Sequence, residues 1–495
     1  MSVPLSRFWA ALVQIQTSIA TSHFVAIDLE MTGIEPRDEP RLQRLTKEQL
    51  YARAKKAAET FNVLQLGLTC IEYDSNTPDD GKMGRFILRS YNFNVSPMFD
   101  TTSPGGAVLA RVVDRTLTLS YKTLMFLKQN RIRIEDSYDG GIPYLSRAEE
   151  EEAIPELFKS NSRSKSEKID IEAQMDETKE FYRDVIQKIR EWEVDPMAKV
   201  FLNIVNPHGG PMTRFQRRLV HQILETEFEN KYIGLLKNNT FMQIVRRDDE
   251  EEQKLQEKMH DQRKQAVRAQ RGLRYIIEAL VGGNFAEDVF SMYDAEDELA
   301  QAVAKKLLRQ SESILQGKGT PILVGHNMFL DLCFLYAAFF GPLPDTLDQF
   351  GVVIHKLFPR IMDTKHLLTH NDHEMMAPKI LDGVFLEMEN EDFPFTIEHY
   401  SSSTSGRHPA NANHHQAGYD SYKTSVVFLK EMWKHAEDKF LASQVIMPDD
   451  AILIGGDNVP LQWDDLSFQK FANTVRIGYA GLWYLGKKED GGDKR

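Results

Sequence analysis

Cysteine is almost missing from this 495-residue chain: Cys70 and Cys333 are the two it has, and both sit in apolar runs. That excludes a disulfide framework and fits a reducing intracellular compartment. Long apolar runs are missing too. No stretch reaches about 20 uncharged apolar residues, the length a membrane-spanning helix needs. The nearest, residues 322–343, is interrupted by His326, Asn327 and Asp331 and reads as a strand followed by a buried helix. The apolar run at residues 8–13 is too short for a secretory leader. Positive charge is in deficit, with a net charge of -13, whereas a simple nucleic-acid binder is usually basic. Either the chain does not touch nucleic acid, or its acids serve metal binding and solvated segments. Composition leaves both open, and the motifs must choose.

The rest is an ordinary soluble composition, 42% hydrophobic and 27% charged, with length for two or three domains. A helix over 5–20 leads into a strand at 23–27. Residues 61–73 alternate through Leu64, Leu66, Leu68 and Cys70, and residues 85–95 through Tyr91, Phe93 and Val95; a period of two predicts strands. After Tyr144 the composition shifts. The acidic run Glu149 to Glu152 and the Ser/Lys/Arg-rich residues 159–168 read as a linker. Residues 172–239 read as helix-rich, broken near Pro207 to Pro211. Residues 248–274 place acids first and bases last, which favours a solvated helical connector. A strand at 322–324, a turn at Gly325, a helix over 329–339 and a strand ending at Asp363 follow. Tyr419, Tyr422, Val426, Leu429 and Trp433 then form one apolar helix face.

Three carboxylate motifs stand on this framework. Asp28 and Glu30 close the run FVAIDLEMTG; two apart on a strand, their side chains share a face. Acids at a buried strand end need pairing, water or metal, and two together invite a divalent cation. The second motif is ILVGHNMFLD, where Asp331 falls on the first helical turn; it serves either as a ligand or as a helix-stabilising acid. The third is HHQAGYD, where Asp420 opens the amphipathic helix and His415 precedes it by five residues. A His there can take a proton from a water.

In this order the motifs resemble the DEDD exonucleases of the His subtype; the Tyr subtype would place Tyr where Gln416 stands. GGIPYLSRAEEEE, LFPRIMDTKHL, VGHNMFLDL, HHQAGYDSYKT, RSYNFNVSP and the strand from Val63 to Tyr73 resemble the poly(A)-specific ribonuclease family over residues 8–439. Leu29 and Met31 depart from the small residue and Phe common there.

The resemblance implies an α/β fold: a ribonuclease-H-like core, a mixed sheet flanked by helices, with a small helix-rich α+β nucleic-acid-binding domain inserted. It divides the chain into a first nuclease part (1–160), the inserted domain (161–245), the connector (246–274), a second nuclease part (275–440) and a C-terminal extension (441–495), either a reduced RNA-recognition-type element or a docking segment. It implies a two-metal site for Mg²⁺, with Mn²⁺ as substitute. Asp28 would bridge both ions, Glu30 and Asp420 complete the water-activating site, Asp331 the leaving-group site, and His415 serve as base. The implied activity is 3′→5′ exoribonuclease trimming, releasing nucleoside 5′-monophosphates. The substrate is either poly(A) tails or small non-coding RNA 3′ ends, and an inactive RNA-binding scaffold is the other reading. In the insertion, Arg217 and His221 resemble an Arg-x-x-x-His single-strand-binding motif, with Arg214 and Arg218 adding a basic patch. Lys365 stands either at a substrate phosphate or on the plain surface. A homodimer, no membrane anchor, and a place in the nucleus or cytoplasm complete the expectations.

Overall fold

The structure is a computed structural model describing residues 2–34, 45–75, 82, 84–102, 104–130, 132–158, 168–195, 200–238, 240–247, 249–295, 297–370, 380–389, 391–400, 416–443, 461 and 463–486. The chain divides into two units. One comprises Met1–Leu157 and Gln265–Arg495, the other Phe158–Lys264. No described helix is long and apolar enough to cross a membrane.

Twelve strands occur among the described residues: β1 (Phe24–Met31), β2 (Val63–Asp74), β3 (Arg85–Ser96), β4 (Ile142–Pro143), β5 (Phe201–Ile204), β6 (Tyr232–Lys237), β7 (Phe241–Arg246), β8 (Ile322–Gly325), β9 (Ile361–Asp363), β10 (Thr396–Tyr400), β11 (Thr474–Ile477) and β12 (Gly481–Tyr484). The larger unit is built on a mixed sheet in the order β10-β3-β2-β1-β8-β9, with β4 beside β3. Only β2 runs against the rest of that path: it is antiparallel to β1 and β3, while β1–β8, β8–β9 and β3–β10 pair in parallel. The run β3-β2-β1-β8-β9 is the ribonuclease-H-like arrangement.

Period-two alternation divides β1 between two cores. Val25, Ile27 and Leu29 join the cluster that includes Phe8, Leu12 and Ile15 of the helix Leu5–Thr21. Phe24 and Ala26 face the other cluster, with Val427 and Phe428 of the helix Ala417–Ser443. The rings of Phe24 and Phe428 lie 5.0 Å apart. Burying one such ring contributes roughly 2–3 kcal/mol. Asp28 and Glu30 continue the Phe24/Ala26 face, so the alternation that fills the core also delivers both acids beneath the start of the Ala417–Ser443 helix.

The expected linker is overturned at its acidic end. Residues 147–158 form a helix, Arg147–Phe158. Glu149 is bonded to Arg115 at 2.6 Å, and Glu150, 7% exposed, pairs with Arg271 and Arg274. Counting charge without its partners made a packed helix look like a solvated link. Residues 159–167 lie outside the described residues. The charged stretch is a helix, Asp249–Arg271, whose last turns are packed, with Ala266 and Val267 buried. The unit Phe158–Lys264 combines helices with a small sheet. Its helices Asp176–Val194 and Arg214–Thr226 accompany a three-stranded sheet, β5-β7-β6. The C-terminal hairpin β11–β12 belongs to the larger unit, and Trp483 stacks on Phe350 at 5.6 Å. Cys70 and Cys333 are free and buried.

Candidate metal centre

The centre forms where β1 ends. Asp28 lies opposite Gly67 and Glu30 opposite Gln65, after which the register slips at Met31. Gly67 matters because the helix Ala417–Ser443 begins directly above it. A Cβ at Gly67 would fall 1.9 Å from the Ala417 carbonyl oxygen. The absence of that one carbon lets the helix start touch the sheet. Asn92 Oδ1 accepts from Gly418 N at 2.9 Å, and Thr69 Oγ1 meets Ser421 Oγ at 2.8 Å. These contacts hold Asp420 over Asp28 and Glu30.

One carboxylate oxygen from each of Asp28, Glu30 and Asp420 lies within 4.8 Å of the other two. Asp331, in the first turn of the helix Phe329–Phe339, reaches β1 itself, and its Oδ1 accepts from Leu29 N at 3.1 Å. Protonation follows from this crowding. Burial, then the charges of Asp331, Asp420 and Glu30, raise Asp28 well above the usual carboxylate range. Burial first, then Asp420 and Asp331, push Glu30 up to about 8, against an opposing pull from Lys423. Burial raises Asp331 to about 7 despite backbone hydrogen bonds. Clustered carboxylates held this far from their ordinary ionisation are short of positive charge. An all-oxygen donor set of this kind fits a divalent cation.

Two further residues shape the centre without having been singled out in the sequence. Lys423, 3% exposed at its side chain, pairs with both Asp420 and Asp382. Its three-residue step from Asp420 was the available signal, since i,i+3 places both on one helix face. Asp363, 1% exposed, accepts from Asn327 N at 2.8 Å, Lys365 N at 2.9 Å and Arg476 N at 3.0 Å. It thereby ties the turn before Asp331 to the C-terminal hairpin. Asn327 holds a left-handed φ of 57°, a conformation Asn tolerates.

The remaining predicted residues lie elsewhere. His415, with His414, lies outside the described residues. Lys365 is the second residue of the short helix Thr364–Thr369, near His326. Burial, followed by the Lys365 charge, lowers His326 to about 4. Arg214, Arg217, Arg218 and His221 share the helix Arg214–Thr226 of the smaller unit. Arg214 and Arg218 are exposed, and Arg217 is half-buried with Nε donating to Thr213 O at 3.3 Å. His221 is half-buried too: a Cβ at Gly234 would lie 3.3 Å from its ring, so the ring packs towards β6.

Sheet order defines a protein of the ribonuclease-H-like class, and its acidic cluster fits a divalent cation. The chain belongs to the CAF1 ribonuclease family, whose model, described as CAF1 family ribonuclease, matches residues 3–428. It is 25% identical over 454 residues to the poly(A)-specific ribonuclease PARN of Xenopus laevis, covering 87% of this chain and 62% of that protein. With its Homo sapiens counterpart the identity is 24%, over 87% and 61%. With the pre-piRNA 3′-exonuclease trimmer of Bombyx mori it is 22%, over 99% and 79%. The chain thus spans about three-fifths of the length of the poly(A)-specific relatives it matches. A solved structure of S. pombe Pop2p in its Mg²⁺ and Mn²⁺ bound form is similar with a TM-score of 0.38 and 10% identity, over 87% of this chain and 90% of that one.

Proposed function

We propose that this chain is a metal-dependent 3′→5′ exoribonuclease that trims RNA 3′ ends, poly(A) tails foremost, releasing nucleoside 5′-monophosphates. The observation that carries the reading is the meeting of Asp28, Glu30 and Asp420 within 4.8 Å, at positions that resemble the DEDD motifs. Bound divalent ions, Mg²⁺ by preference with Mn²⁺ as substitute, would supply an activated water and a neutralised leaving oxygen. Asp28 would hold both ions, Glu30 and Asp420 one of them, and Asp331 the other. His415 would accept the proton from the attacking water. Lys365 would meet a substrate phosphate. The unit Phe158–Lys264 would hold single-stranded RNA through Arg214, Arg217, Arg218 and His221. The family resemblance also supports a homodimer.

The test is cleavage of 5′-labelled RNA ending in oligo(A), compared with other homopolymer and mixed-sequence 3′ ends, with Mg²⁺ and with chelator. Stepwise shortening that requires the metal and favours oligo(A) is expected. No shortening of any RNA would leave the reading of an inactive RNA-binding scaffold. Equal trimming of mixed 3′ ends would favour a second reading, a trimmer of small RNAs. The likeness to the Bombyx mori trimmer over 99% of this chain supports that alternative.

A further inference from the structure

Lys423 lies inside the centre, although an ammonium belongs to no metal-ligand set. Its side chain is 3% exposed. It sits one turn after Asp420 on the same helix and pairs at once with Asp420 Oδ1 and Asp382 Oδ1. The Tyr419 ring closes over it, 4.7 Å from Nζ to centroid. Asp382, in the first turn of the helix Leu381–Glu389, is 35% exposed at its side chain and so keeps water on its outer edge.

We infer that Lys423 is a resident counter-cation of the metal centre, held on Asp382 so that it neutralises Asp420 in the metal-free protein and competes with the incoming ion for that carboxylate. The inference rests on the metal-site reading above. Buried carboxylates without a cation are costly, and one ammonium among them offsets part of that cost. The same charge repels a divalent ion at short range, where solvent screens little. Asp382 is the pivot. When an ion takes Asp420, the ammonium still has a solvated partner, so no charge is left buried and unpaired.

The two side chains therefore have opposite effects on metal affinity. Mn²⁺ binding to the full chain without RNA, followed by calorimetry or electron paramagnetic resonance, reads them directly. Asp28→Asn serves as the control that locates binding at the cluster. Lys423→Met should bind Mn²⁺ on the order of tenfold more tightly, with a lower metal-free Tm that Mn²⁺ restores. Lys423→Arg should stay close to wild type. Asp382→Asn leaves the ammonium wholly on Asp420 and should bind Mn²⁺ several-fold more weakly. A packing role alone would make both losses weaken binding. Equal or weaker binding by Lys423→Met, or unchanged binding by Asp382→Asn, overturns the inference. Should Lys423→Met not fold, Lys423→Gln, which removes the charge and keeps a polar end for Asp382, decides in its place: tighter Mn²⁺ binding supports the inference, and equal or weaker binding overturns it. Wild-type binding indifferent to Asp28→Asn would instead sink the metal-site reading itself.

Discussion

The backbone N–H of Leu29 donates to Asp331 Oδ1 at 3.1 Å. Leu29 lies between the two acids of β1, so the strand that presents Asp28 and Glu30 on one face also orients Asp331 with its own main chain. A carboxylate bonded to a rigid strand loses little rotamer freedom when it takes up an ion.

Asp28 receives the charge of each of the other three acids. Asp28→Asn should lower turnover at least about 100-fold, the several kcal/mol a metal-held charge contributes. It should also raise the Tm of the metal-free protein by relieving repulsion, and erase stabilisation by added Mg²⁺. Near-normal turnover in Mg²⁺ would contradict the assignment.

Gly67 has no room for a side chain, since its Cβ would lie 1.9 Å from the Ala417 carbonyl oxygen. Gly67→Ala should push the start of the Ala417–Ser443 helix off the sheet, costing about 1–3 kcal/mol of stability. Turnover should fall more than stability, because Asp420 moves with the helix. Thermal melting and single-turnover rates measured together check this, and unchanged values of both would show that the helix contact is slack.

His415 is the proposed base, and it is adjacent to His414. His415→Ala should cut turnover about 10²–10⁴-fold, the usual share of general-base catalysis, with Mn²⁺ and RNA affinity retained. His414→Ala should be mild. The reverse pattern would move the motif by one residue.

For the smaller unit, Arg217→Ala combined with His221→Ala should weaken RNA binding and flatten its salt dependence by about one unit of slope for the lost phosphate contact. Because the His221 ring packs towards β6, the Arg217→Ala single variant separates RNA contact from domain packing. Unchanged RNA affinity at several salt concentrations in Arg217→Ala would rule out the contact.

His366 gives the fold a pH dependence away from the carboxylates. It is 6% exposed and its ring lies 5.4 Å from that of Phe471. Burial, then the charges of His370, Arg476 and Lys470, lowers it from 6.5 to about 4. Between those values the unfolded chain binds the proton and the native state does not. The contribution to stability is therefore complete above the unfolded value and is lost as pH falls towards about 4, on the order of 2 kcal/mol. Urea melts of the wild type and His366→Phe from neutral pH downwards measure it. An equally steep acid loss in His366→Phe would assign the effect to other groups.

Much of the centre was legible because strand alternation is local. The apolar run ending in Asp28 and Glu30 already placed both acids on one face, and the order of the three motifs pointed to Asp331 and Asp420 as companions. The bond from Gly418 N to Asn92 and the space that Gly67 leaves under Ala417 were not legible. Each acts across a contact whose partner lies far along the chain: Gly67 and Ala417 are 350 residues apart in sequence. The acidic run at Glu149 was misread for the same reason, because Arg271 and Arg274 lie more than 120 residues away.

By itself, then, the sequence determined which residues could be strands and helices, which face Asp28 and Glu30 would share, and which carboxylates stand in one order of motifs. Periodicity and motif order are properties of the chain read in line. The tertiary structure alone decided how closely those carboxylates approach, that Lys423 stands among them on Asp382, and that Asp363 joins the turn before Asp331 to the C-terminal hairpin. Distances between remote segments, and the burial that turns an ordinary acid into one ionising near 8, exist only once the sheet has closed and water has left it.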